Sequence, residues 1–445
     1  MITNASLVRF PVSSHIPLFR LEHNNDDINT SWHLKDSPAE IRFWIIVPIK
    51  FKATAYFGYE DGYKYRSDLQ LRPDVRSVYS VTYPPEQYSF LGLRSQVLNI
   101  SQLKEVGILL EDESEKIEFK IACLQIDYSL QPLEGKNGYL FLDNDTNKSV
   151  DQFTGTALLE DLHLTKWLNF LAQVEDLSKD CDFQWNLMIA PSKEYVCEHL
   201  YPYSKSCITP LEQLEQKIQD IYKISYVDCL SSLSRDWNLS YSMLDTHWSD
   251  YGAYIAAKLL GQKNGISESN LDYILNAIPF NMSKVSGDLG VKMLPKKYNN
   301  IPKADFTSMA AKRIFDNFIH NHGRIWIYEN SEALEPKTMI VFGDSFSTNL
   351  VTWLSLLYFR IVYVHSAASI DQRLIHIENP DFILLQTNSR FLGSVPSIET
   401  SIKLKIQDKL NAMSELKSSH LISLARDGSN NDIVNRDYWS MMITE

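Results

Sequence analysis

No stretch of this chain is apolar and uncharged for long enough to span a bilayer, so no transmembrane segment is expected. Positive charge is also in short supply. The net charge is −12, which sets nucleic acid aside as a partner. There is no glycine-rich phosphate loop. The five cysteines, Cys123, Cys181, Cys197, Cys207 and Cys229, are odd in number, and no close pair has zinc-finger spacing. Thiols in a reducing cytoplasm are the expectation. The histidines His163, His199, His320, His322, His365 and His376 are scattered, so no metal site is expected. The opening residues, Met1 to Arg9, show no basic stretch leading into an apolar one, and they do not read as a secretory signal. The cytoplasm is the expected compartment, or the periplasm if a signal has been removed. No internal repeat or low-complexity tract is found.

What is present is ordinary for a globular protein: 44% hydrophobic and 22% charged residues over a length of 445, which favours two domains. Aromatic residues, at 12%, are on the high side. Their faces suit sugar rings, and they also fill β-cores.

Residues 1–40 are polar, with little periodicity. Strand-like runs follow at Ile41 to Pro48, Ala53 to Tyr59, Ser77 to Tyr83, Val106 to Leu110 and Ile117 to Tyr128, separated by turns at Glu60-Asp61-Gly62 and Tyr83-Pro84-Pro85. Short strands without long helical patterns predict a β-sandwich over residues 1–130. Tyr59, Tyr63, Tyr65 and Tyr88 either line a carbohydrate groove, as in a carbohydrate-binding module, or pack the core.

From residue 131 to 445 the texture is α/β. Leu162 to Val174 has helical spacing, and Thr209-Pro210 opens another helix. Trp185 to Ala190, Ile224 to Val227, Arg324 to Tyr328, Met339 to Phe342, Ile361 to Val364 and Phe382 to Leu385 read as strands. Helices are expected at Tyr251 to Leu260, Leu350 to Tyr358 and Ser401 to Lys417, before a loose tail at 427–432. This alternation predicts a parallel sheet with helices on both faces. Ligands in such sheets sit beyond the carboxyl ends of the strands.

One stretch lies at such an end. Met339 to Phe342 is apolar, Gly343 ends it, and Ser345 follows before a helix. A hydroxyl at a strand–helix junction meets free N–H groups and the helix dipole, a setting that suits an oxyanion. Taken alone, Asp344-Ser345 is more simply a helix cap. A reacting serine needs a base, and the base needs an orienting acid. Asp245-Thr246-His247-Trp248 offers both if its backbone is not helical; the same residues also suit a loop with a solvated histidine. Candidate oxyanion donors are the Ser345 backbone, Gln386 and Asn388; the two amides read more simply as surface or structural groups.

From about Gly135 to Leu392 the chain resembles the SGNH-hydrolase-like O-acetyltransferases of bacterial polysaccharide modification, the group that contains the alginate O-acetyltransferases. Gly135-Lys136-Asn137-Gly138-Tyr139-Leu140-Phe141-Leu142 is similar to that family's opening motif, with Tyr139 where tryptophan is usual. Ala190-Pro191-Ser192-Lys193-Glu194, Asp245-Thr246-His247-Trp248, Gly343-Asp344-Ser345-Phe346, Asn379-Pro380-Asp381 and Ser389-Arg390-Phe391-Leu392 match further motifs in order. The resemblance implies an SGNH-hydrolase-like catalytic domain. It also implies a catalytic triad with Ser345 as nucleophile, His247 as base and Asp245 as orienter, in the permuted order that the family shows. The implied activity is acetyl transfer through an acetyl-serine to hydroxyls of a bacterial polysaccharide: capsule, O-antigen or exopolysaccharide. Acetyl-CoA is the expected donor in the cytoplasm, and a membrane acyltransferase would have to deliver the acetyl group to an exported protein. Partners are then a polysaccharide or oligosaccharide acceptor and polysaccharide-assembly proteins. The alternatives are a polysaccharide acetyl esterase and a non-catalytic glycan-binding protein.

Overall fold

The computed structural model describes residues 5–9, 18–21, 31–34, 39–59, 64–97, 103–126, 131–143, 145–293, 295–413, 415–428 and 433–443. The Glu60-Asp61-Gly62 turn, Tyr63 and the tail at 429–432 lie outside them. The chain divides into two compact units, Met1–Leu130 with Lys292–Pro295, and Gln131–Val291 with Lys296–Glu445.

The first unit is built from β1 (Ala5–Arg9), β2 (Leu18–Leu21), β3 (Ser31–Leu34), β4 (Ala39–Pro48), β5 (Lys52–Tyr59), β6 (Lys64–Asp68), β7 (Gln70–Leu71), β8 (Tyr88–Val97), β9 (Leu103–Glu111) and β10 (Lys116–Ile126). They form two antiparallel sheets, β3-β1-β10-β9-β5-β6 and β2-β4-β8-β7. Phe43, Ile45 and Val47 of β4 share one apolar cluster with Phe57 of β5 and Val106 and Ile108 of β9. On the opposite face of β4, Trp44 and Ile46 meet Val75 and Phe90. With both faces covered, β4 is apolar almost continuously, not in alternation.

Two expectations fail here. The segment 1–40 contributes β1, β2 and β3, because a strand this short takes its order from a sheet partner more than from its own pattern. Ser77 to Tyr83 is not a strand: Pro73–Tyr79 is a helix with Pro73 in its first turn and Asp74 beside it, followed by a turn. The β-branched residues pointed to a strand, but Val78 and Val81 are exposed and have no sheet to pack on. Tyr88 packs edge-on against Tyr83, with ring centroids 5.4 Å apart.

The second unit carries β11 (Gln131–Glu134), β12 (Leu140–Asp143), β13 (Gln184–Ala190), β14 (Tyr226–Val227), β15 (Phe280–Val285), β16 (Asn299–Ala304), β17 (Lys312–Asp316), β18 (Ile325–Glu329), β19 (Glu335–Gly343), β20 (Tyr358–His365) and β21 (Phe382–Asn388). Its main sheet runs β14-β13-β21-β19-β20-β18-β17, and β11/β12 and β15/β16 are separate hairpins. Helices Asp161–Asp180, Pro210–Ile221, Asp250–Lys263 and Ser347–Leu354 alternate with the strands, so the unit is mixed α/β. A capping box at Thr209 and Glu212 opens the helix that Thr209-Pro210 announced. Met339, Ile340, Val341 and Phe342 of β19 and Ile383, Leu384 and Leu385 of β21 are fully buried. Residues buried on both faces of a central sheet carry no alternation.

The sheet is not wholly parallel. β14, β13, β21, β19 and β20 run parallel, while β18 runs antiparallel to β20 and to β17. The link from β18 to β19 is too short to hold the crossover that a parallel arrangement requires. The helix expected over Leu350 to Tyr358 is Ser347–Leu354, and Tyr358 opens β20. Only Tyr226–Val227 of the Ile224 to Val227 run is strand, and Ile224 is exposed. The single helix expected over Ser401 to Lys417 is two, Ile402–Asn411 and Glu415–Gly428, and Ile433–Ser440 is a further helix. Among the described residues, no helix is long and apolar enough to cross a membrane.

Candidate active site

β19 lies between β20 and β21, and its carboxyl end delivers Ser345. The turn that carries the serine is fixed from below by Gln386, at the end of β21. Its Oε1 accepts from Asp344 N at 2.9 Å and from Ser347 Oγ at 2.6 Å. Gly343 is required at this crossing, since a Cβ there would lie 2.0 Å from Ser347 Oγ and 3.1 Å from Gln386 Oε1. Asp344 is fully buried. Its Oδ1 accepts from Phe346 N at 2.8 Å, and its carbonyl accepts from the Tyr363 hydroxyl at 2.8 Å. Burial raises its carboxyl, against the hydrogen bond from Phe346 N. Asp344 therefore shapes the turn and leaves the exposed position to Ser345. The Ser345 N–H has no acceptor among the described residues.

His247 comes from a different part of the chain. Its Nε2 is 2.8 Å from Ser345 Oγ, and its Nδ1 is 2.9 Å from Asp245 Oδ1. The His247 N–H donates to the same Oδ1 at 2.9 Å, a bond that the non-helical backbone allows. Trp248 anchors the segment to the serine turn: its Nε1 donates to Phe346 O at 2.9 Å, and its ring meets Phe346 edge-on. Ser249 then caps the helix Asp250–Lys263 through the Tyr251 and Gly252 N–H groups. Three of the expected residues, Ser345, His247 and Asp245, thus form one hydrogen-bonded chain.

The two amides are placed differently. Asn388 Nδ2 donates to Ala190 O at 2.9 Å, and its Oδ1 accepts from Ser192 Oγ and Arg390 N. Gln386 uses its carbonyl oxygen on the serine turn, and its buried Nε2 has no hydrogen-bond partner among the described residues.

Asp288, which the sequence did not single out, and Lys193, which stands in the Ala190 to Glu194 motif without an assigned role, complete the surroundings. Asp288, in the turn Gly287–Gly290, accepts the Thr246 N–H and hydroxyl. Lys193 is 2% exposed and donates to the carbonyls of Leu140, Met243 and Asp245. In sequence Asp288 is an acid beside Gly287, which is commonplace, and Lys193 follows Pro191-Ser192 after the strand.

The charges favour a protonatable base. Burial acts against the imidazolium of His247, but the Asp245 hydrogen bond and the charges of Asp245 and Asp288 outweigh it, and its pKa is raised above the usual 6.5. Burial also works to raise the Asp245 carboxyl; the His247 hydrogen bond and charge, with the backbone N–H groups of His247 and Asp288, hold it low. A base of this kind works only when neutral. The rate of p-nitrophenyl acetate turnover is therefore expected to rise with pH, with its midpoint above 6.5. A midpoint at or below that value would show that His247 is not the group being titrated.

A cleft of about 340 Å³ opens over Ser345 and His247. Val285, Ile301 and Lys303 of the β15/β16 hairpin form one side, and Thr348 and Asn349 of the helix Ser347–Leu354 line it as well. Lys303 is paired with Asp250 at 3.2 Å. Asp245, His247 and Asp288 each bring one ligand atom within 4.8 Å of the others, a spacing that a cation could bridge, but these atoms are held in the hydrogen bonds described above.

The second unit is thus a mixed α/β structure with a Ser–His–Asp chain at the carboxyl edge of its sheet, an arrangement that can activate a serine hydroxyl. No protein-family model and no curated protein matches the chain. Similar solved structures include the O-acetyltransferase domain of Pseudomonas putida AlgJ, at 15% identity and a TM-score of 0.40, covering 60% of this chain and 94% of that one. Bacillus cereus PatB1 is similar at 12% identity and a TM-score of 0.43, covering 60% and 98%. A DHHW family protein from Eubacterium siraeum is similar at 14% identity and a TM-score of 0.39, covering 59% and 95%. With identities and scores this low, these likenesses decide neither activity nor substrate for this chain.

Proposed function

We propose that the protein is a serine-dependent O-acetyltransferase acting on hydroxyls of a polysaccharide. The observation that carries this reading is the continuous chain from Ser345 Oγ through His247 to Asp245, with the serine open to a cleft. Ser345 Oγ attacks the acetyl carbonyl carbon as His247 Nε2 takes its proton. Asp245 holds the imidazolium that forms. The Ser345 N–H, without an acceptor among the described residues, supports the oxyanion. Collapse of the intermediate breaks the bond to the donor, whose leaving group receives the proton from His247. A sugar hydroxyl then gives its proton to His247 and attacks the acetyl-serine. The acetyl ester passes to the sugar, and the proton returns to Ser345.

An uncharged sugar fits the cleft, because Thr348 and Asn349 offer neutral hydrogen bonds and the charge of Lys303 is engaged by Asp250. Acetyl-CoA is the proposed donor. The test supplies acetyl-CoA and a deacetylated neutral glycan, with p-nitrophenyl acetate as a second donor, and follows the glycan mass. Gain of acetyl groups on the glycan is the expected result. Acetate release from either donor with no gain would overturn the transferase assignment.

A further inference from the structure

The acid and the base of the site are held by a second carboxylate. The turn Gly287–Gly290 presses onto the segment that bears Asp245 and His247. Leu289 N and Gly290 N both donate to Leu244 O at 3.1 Å, and Asp288 N donates to Asp245 Oδ2 at 3.2 Å. In return the Asp288 carboxylate takes the Thr246 N–H at 2.7 Å on Oδ1 and the Thr246 hydroxyl on Oδ2. The approach depends on Gly287, whose φ is +67° and where a Cβ would lie 2.2 Å from Leu244 O. The grip is reciprocal: each aspartate accepts a backbone N–H from the other's segment. Asp288 Oδ2 also lies 3.7 Å from His247 Nδ1, too far for a hydrogen bond and near enough for charge to act.

We propose that Asp288 is a positioning residue of this site, which fixes the Asp245–His247 pair through Thr246 and places a second negative charge beside the imidazolium. Asp245 Oδ1, at 2.9 Å, is the nearer partner of Nδ1, and the Thr246 hydroxyl held by Asp288 lies at 3.4 Å, so the contribution of Asp288 is to orientation and charge. Placing two carboxylates together has a cost. Burial and the neighbouring Asp245 raise the Asp288 carboxyl, and the His247 charge opposes this. Proton arrival on His247 relieves that repulsion, which couples the base to Asp288. The other charged groups facing His247 are Arg390, whose charge opposes protonation, and the buried Asp344. Lys193 is held on Asp245 O.

The catalytic meaning of this arrangement rests on the functional reading above, whereas its electrostatic content does not. The test is therefore the titration of the His247 imidazole by NMR in the full chain, assigned with a His247→Gln variant. Asp288→Asn keeps an acceptor for Thr246 N and removes the charge. It is expected to lower the His247 midpoint by about one pH unit and to carry the acid limb of the rate profile down with it. Asp288→Ser, smaller and equally neutral, is expected to give the same fall, and Asp288→Glu to restore most of it. An unchanged midpoint in a folded neutral variant overturns the inference, even if the rate is lower, because a purely structural role would lower the rate and leave the imidazole titration unmoved. Labelling of Ser345 by a serine-reactive phosphonate is read separately. Failure of the wild-type chain to label overturns the functional reading, while the titration continues to decide the role of Asp288.

Discussion

Ser345→Ala is expected to lower acetyl transfer by about 10⁴-fold or more while leaving the thermal melt within a few degrees of wild type. Ser345 is partly exposed, and the side-chain hydrogen bond of its hydroxyl is the one to His247, so its removal leaves no donor or acceptor unsatisfied in the core. The turn itself stays pinned by Gln386, Gly343 and the Asp344 carboxylate, none of which involves the serine side chain. His247→Ala should cost about as much, and the double variant little more than either alone, because residues that act as one unit lose their contribution together. Losses that multiplied across the two sites would mean that the two side chains act independently, and the proposed proton transfer would be wrong. Retained transfer in Ser345→Ala would end the acetyl-serine route altogether.

The second large effect is on stability. Lys193→Met is expected to destabilise the protein by about 3 kcal/mol or more in urea denaturation, although the side-chain length is nearly unchanged. Lys193 is held in a closed pocket, where burial brings its pKa down from 10.5 to about 8, with Cys197, Asp245, Asp288 and Glu194 opposing the fall. Near neutral pH it therefore keeps its ammonium, and three N–H groups meet three carbonyls: Leu140 O at 2.7 Å, Met243 O at 2.9 Å and Asp245 O at 3.1 Å. Methionine fills the space and satisfies none of them. Lys193→Arg should not rescue the loss, because a planar fork cannot replace three donors that radiate from one nitrogen. Transfer activity should fall with stability in Lys193→Met, since the carbonyl of Asp245 loses its tether. A variant as stable as wild type would show that water replaces the ammonium without loss.

The sequence shows the strands of the second unit well where burial makes them continuous, as at Met339 to Phe342 and Phe382 to Leu385. It does not show their direction. β18 has the same texture as its neighbours, and only the length of the link to β19 distinguishes an antiparallel strand from a parallel one. Ser77 to Tyr83 misleads because β-branched residues are also tolerated on the exposed side of a short helix. At the site, acyl chemistry made Ser345, His247 and Asp245 candidates by residue type, and the ordered motifs of the family they resemble made them legible as a set. Asp288 was not, because its role arises from where its oxygen atoms end up, and an aspartate after a glycine has no pattern of its own. Lys193 stood in the Ala190 to Glu194 motif without a role, which comes from the three carbonyls that the fold gathers around its nitrogen. Gln386 was legible as a polar residue at a strand end, and the structure shows its oxygen bracing the serine turn.

The serine turn also has a history in time. Ser345 and His247 are 98 residues apart in sequence, and Gln386, which braces the turn, comes another 41 after the serine. β19 is flanked by β20 and β21, both of which follow it in the chain. A growing polypeptide that has just released Ser345 from the ribosome therefore has the nucleophile and the base but no neighbouring strands to bring them together. The hydroxyl cannot be activated until β21 has emerged and been inserted beside β19, which makes reactivity one of the last properties this chain acquires as it folds.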